Sequence, residues 1–195
     1  QWVPELILTP IVSVRYFEFA FAWKTLSGTK AGANWLDVSS PRVLILLHLL
    51  SNPSNRVTVV NPDANDLETT ARLFKACRVD QRCKFVGKTV ENMELPHESI
   101  DLNTCVSVIE HLPGKSDLDA LSILWAALRP NGMLVLTVPC AAEAFEEYIN
   151  FNEYNLLTPD SEGFVFGQRF YDQALLEERI FRVIGFPSRF SFIFI

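Results

Sequence analysis

No basic run occurs anywhere in this chain. Arg and Lys are scattered as singlets and pairs, and the formal net charge is −6. Phosphate contacts need clustered positive charge, so the balance argues against a nucleic-acid partner. Cysteine is sparse, at positions 77, 83, 105 and 140, with no CxxC or Cys/His ligand spacing, which argues against a zinc site. Cys105 and Cys140 stand beside apolar strand patterns and read as buried thiols, and a reduced, cytoplasmic setting is the expectation. No signal-peptide pattern is visible, and no apolar run reaches membrane-spanning length. The most apolar N-terminal stretch, 11–26, is interrupted by Arg15, Glu18 and Lys24, and reads as an amphipathic helix lying on the domain. No membrane partner is expected.

What is present is apolar mass. Of 195 residues, 49% are hydrophobic and 15 are Phe, enough for the core of one domain. Short β-branched or apolar runs alternate with helical patterns. Strands are expected at 34–38, 56–60, 84–87, 101–107 and 132–138. Helices are expected from Pro41, from an Asp63 cap, from a Ser116 cap and from an Asp172 cap. Arg129-Pro130-Asn131-Gly132 breaks the third of these, with Gly132 free to take positive φ. A last strand is legible at 188–195. This rhythm predicts right-handed βαβ units, hence an α/β fold: an open, mostly parallel, Rossmann-like sheet with helices on both faces. The Trp35 strand should be central, between the Val57 and Ile100 strands. Ligands of such sheets sit beyond the carboxyl ends of the strands, at the topological switch point.

Three segments carry a resemblance. The first is Glu91-Asn92-Met93-Glu94-Leu95-Pro96 followed by Ile100-Asp101-Leu102. The second is Cys105-Val106-Ser107-Val108-Ile109-Glu110-His111-Leu112. The third is Leu128-Arg129-Pro130-Asn131-Gly132-Met133 running to Pro139. In order and spacing they resemble the class I S-adenosylmethionine-dependent methyltransferases, in the type 11 group of small-molecule methyltransferases. The match covers about 34–139. The resemblance implies S-adenosylmethionine as cofactor and a small-molecule acceptor. It implies cofactor contacts from Asp37, Ser39, Ser40, Asn61, Asp63, Glu91, Asn92 and Ser107. His111 is a candidate general base, since an unperturbed imidazole titrates near neutrality.

The sequence departs from the family at two places. The first loop is glycine-rich in the family; here it reads Asp37-Val38-Ser39-Ser40-Pro41-Arg42-Val43, with Ser39, Pro41 and Val43 in place of the glycines. After the second strand the family places a carboxylate that accepts both ribose hydroxyls. Here it is Asn61, which accepts only through its amide oxygen. That exchange should weaken binding by roughly 1–2 kcal/mol, and Asn61→Asp is expected to tighten it.

Each candidate also has a purely structural role open to it. Asp37 could hold the first loop toward the cofactor or cap the next helix. Asp63 could reach the ribose or serve as a cap. Glu91 could accept from the adenine amino group, with the Asn92 N–H on a ring nitrogen, or belong to a solvated acidic loop. Glu110 and His111 could act chemically or bond the backbone and fix their loop. Arg42, at a helix start, could contact a carboxylate, with a surface residue as its default role. The insert 141–171 carries eight aromatics and is expected to cover the acceptor; otherwise those rings should face the core. The resembling fold ends in an antiparallel strand pair, so with one strand legible after Arg182 the fold is expected to be truncated there. Two functions stay open at this stage: methyl transfer, and a methyltransferase-shaped binding or scaffold role without cofactor affinity. A different nucleotide-binding enzyme lacks support, because the first loop offers no phosphate-cradling glycines.

Overall fold

The computed structural model describes residues 13–151 and 157–188, the side chains of 13–16 excepted. Helix α1, Ser13–Leu26, precedes strand β1, Asn34–Val38. Then follow α2 (Arg42–Ser51), β2 (Arg56–Val60), α3 (Ala64–Ala76) and β3 (Cys83–Val86). The second half holds β4 (Ile100–Val106), α4 (Ser116–Ala127) and β5 (Leu128–Thr137). A hairpin of β6 (Phe145–Ile149) and β7 (Val165–Phe170) leads into α5, helical over 173–184 with a π-helical middle at Glu177–Phe181.

The five first strands form one parallel sheet in the order β3-β2-β1-β4-β5. Trp35 pairs with Val57 on one side and Leu102 on the other, so β1 is central as expected. Buried strands alternate their side chains between two cores. Trp35, Val57, Val59, Leu102 and Val106 pack under α1, α2 and α3. Leu36, Val38, Val60 and Cys105 pack with Leu121 and Leu124 of α4 and Leu176 and Ile180 of α5. Helices therefore cover both faces.

Several local expectations are corrected. The helix after Pro41 begins at Arg42, with Pro41 outside it at φ −54°. Ser116 is the first helical residue of α4 rather than its cap, which is Lys115. At the α4–β5 break Asn131, not Gly132, takes positive φ (64°). Gly132 is needed for closeness instead: a Cβ there would lie 2.8 Å from the Arg129 carbonyl oxygen. A register shift between Ile100 and Leu102 puts those two residues in different cores, where strict period-two alternation would put them on one side. Cys140 is exposed, not buried. Most of the expected strand at 188–195 lies outside the described residues.

The insert is a two-stranded antiparallel ribbon. Its aromatics do not divide as expected. Tyr171 is fully buried, while Phe145, Tyr148, Phe151 and Phe164 are exposed. Phe145 stacks on Phe170 with centroids 4.3 Å apart, and Tyr148 meets Phe166 edge-on. Tyr154 lies outside the described residues. A buried ionic cluster ties the ribbon down. Arg169, only 2% exposed, donates to Asp117 (3.0 Å) and Glu146 (2.8 Å), and Arg179 donates to both oxygens of Asp117 (2.5 and 2.8 Å).

Candidate functional site

The carboxyl ends of β1, β2 and β4 are joined by polar groups from the loops that follow them. Asp37 is fully buried at the end of β1. One carboxylate oxygen accepts from the Thr104 hydroxyl of β4, which itself accepts from the Trp35 indole N–H at 2.8 Å. The other accepts from the Ser40 backbone N–H at 3.2 Å. Burial pushes the Asp37 carboxyl up from 3.8 to about 6, against the lowering effect of the Thr104 and Ser40 hydrogen bonds. Asp37 thus fixes the first loop.

Ser39 stands in the left-handed region at φ 48°. That conformation suits glycine and costs a side-chain-bearing residue roughly 1–2 kcal/mol. Its N–H and its hydroxyl both donate to the Val60 carbonyl, at 2.9 and 3.2 Å. Ser40 is buried, and its Oγ accepts from the Val106 N–H at 3.1 Å. Hydroxyls therefore stitch the first loop to β2 and β4.

Beyond β2, Asn61 is buried and both ends of its amide are engaged. Its oxygen accepts from the Asp63 N–H at 2.9 Å, and its nitrogen donates to Asp66 Oδ2 at 2.9 Å. The other Asp66 oxygen pairs with the Arg42 guanidinium. Asp63 caps α3, accepting from the Asn65 and Asp66 N–H groups. Two expectations change here. Arg42 is not a plain surface residue but half of an ion pair. Asn61→Asp would set two carboxylates within about 3 Å of each other, an unfavourable contact, so it should not tighten binding by itself.

Glu91 and Asn92 lie on a single 3₁₀ turn, Val90–Asn92, whose Val90 is buried with Val38 and Val60. Oε2 of Glu91 is buried and has no hydrogen-bond partner. Asn92 is exposed and donates to the Thr89 hydroxyl. Ser107, at φ 53°, ends β4; its hydroxyl donates to Glu18 of α1, and the Thr137 hydroxyl donates to the same oxygen at 3.3 Å. His111 turns away from these groups. Its Nδ1 is 2.8 Å from the Gly167 carbonyl of β7, which makes that nitrogen the N–H donor, and its Nε2 is 4.0 Å from Glu110. The structure thus brings Asp37, Ser39, Ser40, Asn61 and Ser107 together. It sets Glu91 and Asn92 on the neighbouring turn and gives His111 a bond to the insert. A shallow cavity of about 400 Å³, lined by Ala142, Asp172, Gln173, Ala174 and Glu177, includes none of the candidates.

Sequence reasoning missed Glu18, Asp66 and the Asp117–Arg169–Arg179 cluster. Glu18 interrupts an apolar helix, and a charge on such a face was the signal available. Asp66 stands five residues after Asn61 and bonds to it, but its pairing with Arg42, like the contacts of the Asp117 cluster, spans a long sequence separation.

A family model described as a methyltransferase domain matches residues 36–136, more than half of the chain. The chain belongs to that family. No curated protein matches its sequence. Among solved structures it is similar to the [4+2]-cyclase SpnF, with TM-score 0.60 and 14% identity, covering 85% of this chain and 57% of that one. It is also similar to geranyl diphosphate C-methyltransferase from Streptomyces coelicolor A3(2), solved with Mg2+, geranyl diphosphate and S-adenosyl-L-homocysteine. There the TM-score is 0.54 and the identity 14%, covering 63% of this chain and 45% of that one. A geranyl diphosphate methyltransferase solved with SAM gives TM-score 0.54 at 15% identity, covering 63% of this chain and 49% of that one. The chain thus spans about half the length of these structures. At such identities the likeness is one of fold: the class I methyltransferase α/β fold.

Proposed function

We propose that this domain binds S-adenosylmethionine and transfers its methyl group to a small-molecule acceptor. The observation that carries the reading is Glu91. A buried carboxylate oxygen without a partner is costly, and a ligand's N–H donor would relieve it. The adenine amino group is such a donor, and Glu91 follows β3 on the side of the sheet's switch point. The residues fit the cofactor's other parts in outline. Asp37 holds the first loop for the methionine portion, with Ser39, Ser40 and Ser107 around it. Asn61 and Asp63 stand after β2 for the ribose. The Asn92 backbone N–H serves the adenine ring.

When bound, the cofactor would supply an electrophilic sulfonium methyl for an acceptor lone pair, with the neutral thioether as the leaving group. The protein's part is alignment and exclusion of water. The insert 141–171 is the proposed acceptor cover. His111 is the candidate base; its bond to Gly167 would also couple it to the position of that cover. We take the chain as one domain with its N-terminal helix at Ser13–Leu26, positions 11 and 12 of the expected helix lying outside the described residues, working in the cytoplasm.

One observation favours the alternative of a binding or scaffold role without cofactor. Both ends of the Asn61 amide are already engaged, and Pro41 offers no N–H at the start of α2. Isothermal calorimetry with S-adenosylmethionine and S-adenosylhomocysteine decides between them. Binding in the micromolar range that weakens in Glu91→Gln supports the cofactor reading on which methyl transfer rests. No heat at millimolar ligand rules it out in favour of the scaffold role.

A further inference from the structure

The sequence puts an amide where a ribose diol calls for a charged acceptor, yet a carboxylate lies within hydrogen-bond distance of that amide. We infer that Asp66, in the first turn of α3, is the carboxylate that receives the ribose hydroxyls; this rests on the cofactor reading above. Asn61 and Asp66 form an acid–amide pair in which Nδ2 donates to Oδ2 at 2.9 Å. Exchanging the two residue types would give the same bond with the charge at the other end. The pair therefore carries its charge five residues along the chain from the strand-end position.

Three features suit Asp66 to this role. Its partners stand after two adjacent strands: Arg42 opens α2 after β1, and Asn61 follows β2. Its side chain is 36% exposed, so a ligand can reach it. A carboxylate offers about four acceptor positions, and the Asn61 amide and the Arg42 guanidinium leave room for the two donors of a diol. The cap of α3 is Asp63, so Asp66 is not needed to start the helix. Arg42 pairs with one carboxylate oxygen of Asp66 and Asn61 donates to the other, so Asn61 acts as a positioning residue for it.

The test is calorimetric affinity for S-adenosylhomocysteine, and for its 2′,3′-dideoxyribose analogue, in the full chain. Asp66→Asn should weaken S-adenosylhomocysteine about tenfold and leave the dideoxy analogue unchanged. Asn61→Asp should also weaken binding, through the contact between two carboxylates. The double variant Asn61→Asp/Asp66→Asn should return to within about threefold of wild type, because it restores the donor–acceptor pair. It also decides the question should Asp66→Asn fail to fold. Unchanged affinity in Asp66→Asn, equal losses for both ligands, or tightening by Asn61→Asp alone overturns the inference and leaves the cofactor reading standing. Absence of binding by the wild type at millimolar ligand overturns both.

Discussion

Replacing Asp37 by Asn should change how stability depends on pH, and the size of the change follows from the burial of this carboxyl. Its ordinary pKa of 3.8 rises to about 6 in the folded chain, because the fully buried site disfavours the charged form. A group whose pKa is raised by folding contributes most below its unfolded value. Its contribution is lost as pH rises through the folded value. Below pH 3.8 the side chain is neutral in both states, and Asp37 imposes no ionisation cost. Above pH 6 it is charged in both, and folding carries the full cost of burying the charge. At about 1.4 kcal/mol per pH unit, the gap from 3.8 to about 6 is worth about 3 kcal/mol. The cost is about 1 kcal/mol at pH 4.5 and about 3 kcal/mol at pH 7.5, so wild type should lose about 2 kcal/mol relative to Asp37→Asn across that interval. Other groups titrate alike in the two proteins and cancel in the difference. An amide also changes the bonds to Thr104 and the Ser40 N–H, which adds an offset independent of pH. Urea unfolding of ligand-free protein, followed by tryptophan fluorescence at several pH values, reads the slope of the difference. A flat difference, or one in which wild type gains as pH rises, refutes the argument.

His48 should give acid sensitivity of the opposite sense. Burial holds its pKa below the ordinary 6.5, and Asn55, whose oxygen accepts from the Gly32 N–H, donates to Nε2 at 3.0 Å. Its contribution is present above pH 6.5 and lost as pH falls through the lowered folded value; wild type should weaken against His48→Gln over that range, read by thermal melts. Gly132→Ala should destabilise by about 1–3 kcal/mol, because the new Cβ meets a backbone oxygen at 2.8 Å; a neutral result by chemical denaturation counts against the close approach. Asp117→Asn should cost about 3–5 kcal/mol by removing the buried carboxylate that Arg169 and Arg179 share, leaving Arg169 only the half-exposed Glu146, and should raise protease cleavage in the β6–β7 ribbon. Cleavage unchanged from wild type would mean that the ribbon is held by its aromatics alone.

The sheet was legible because each of its strands is a short apolar run closed by a turn, and the Asp63 and Asp172 caps stand beside clear helical patterns. The α4–β5 break was legible as a break but not in its detail. Asn and Gly both tolerate left-handed backbone, and which one adopts it depended on the Arg129 carbonyl beside Gly132. The ribbon escaped notice because Glu146 and Glu147 break the alternation of β6, and its partner strand lies beyond the 152–156 segment. Of the candidate site, strand-end positions could be read directly, since the fold class fixes where ligands lie. Side-chain partnerships could not. Arg42 and Asp66 are 24 residues apart, and Ser107 and Glu18 are 89 apart. Only closure of the sheet brings them together.

The serines of the first loop show how a chain can lose glycines and still build the same turn. The turn needs a left-handed residue after β1, and Ser39 supplies one at φ 48°. Its two bonds to the Val60 carbonyl offset part of the strain, and the Ser40 hydroxyl takes up the Val106 N–H. The side chains that compensate also occupy space between the strand ends. A glycine loop leaves its backbone open for a ligand's close approach; a serine loop spends its polar groups on the protein. A cofactor held here would draw less from backbone contact and more from carboxylates, the buried Oε2 of Glu91 and Asp66 at the rim. Its affinity should then depend on ionic strength more steeply than a backbone-lined site would, because a charge-assisted bond at the half-exposed Asp66 is screened by salt.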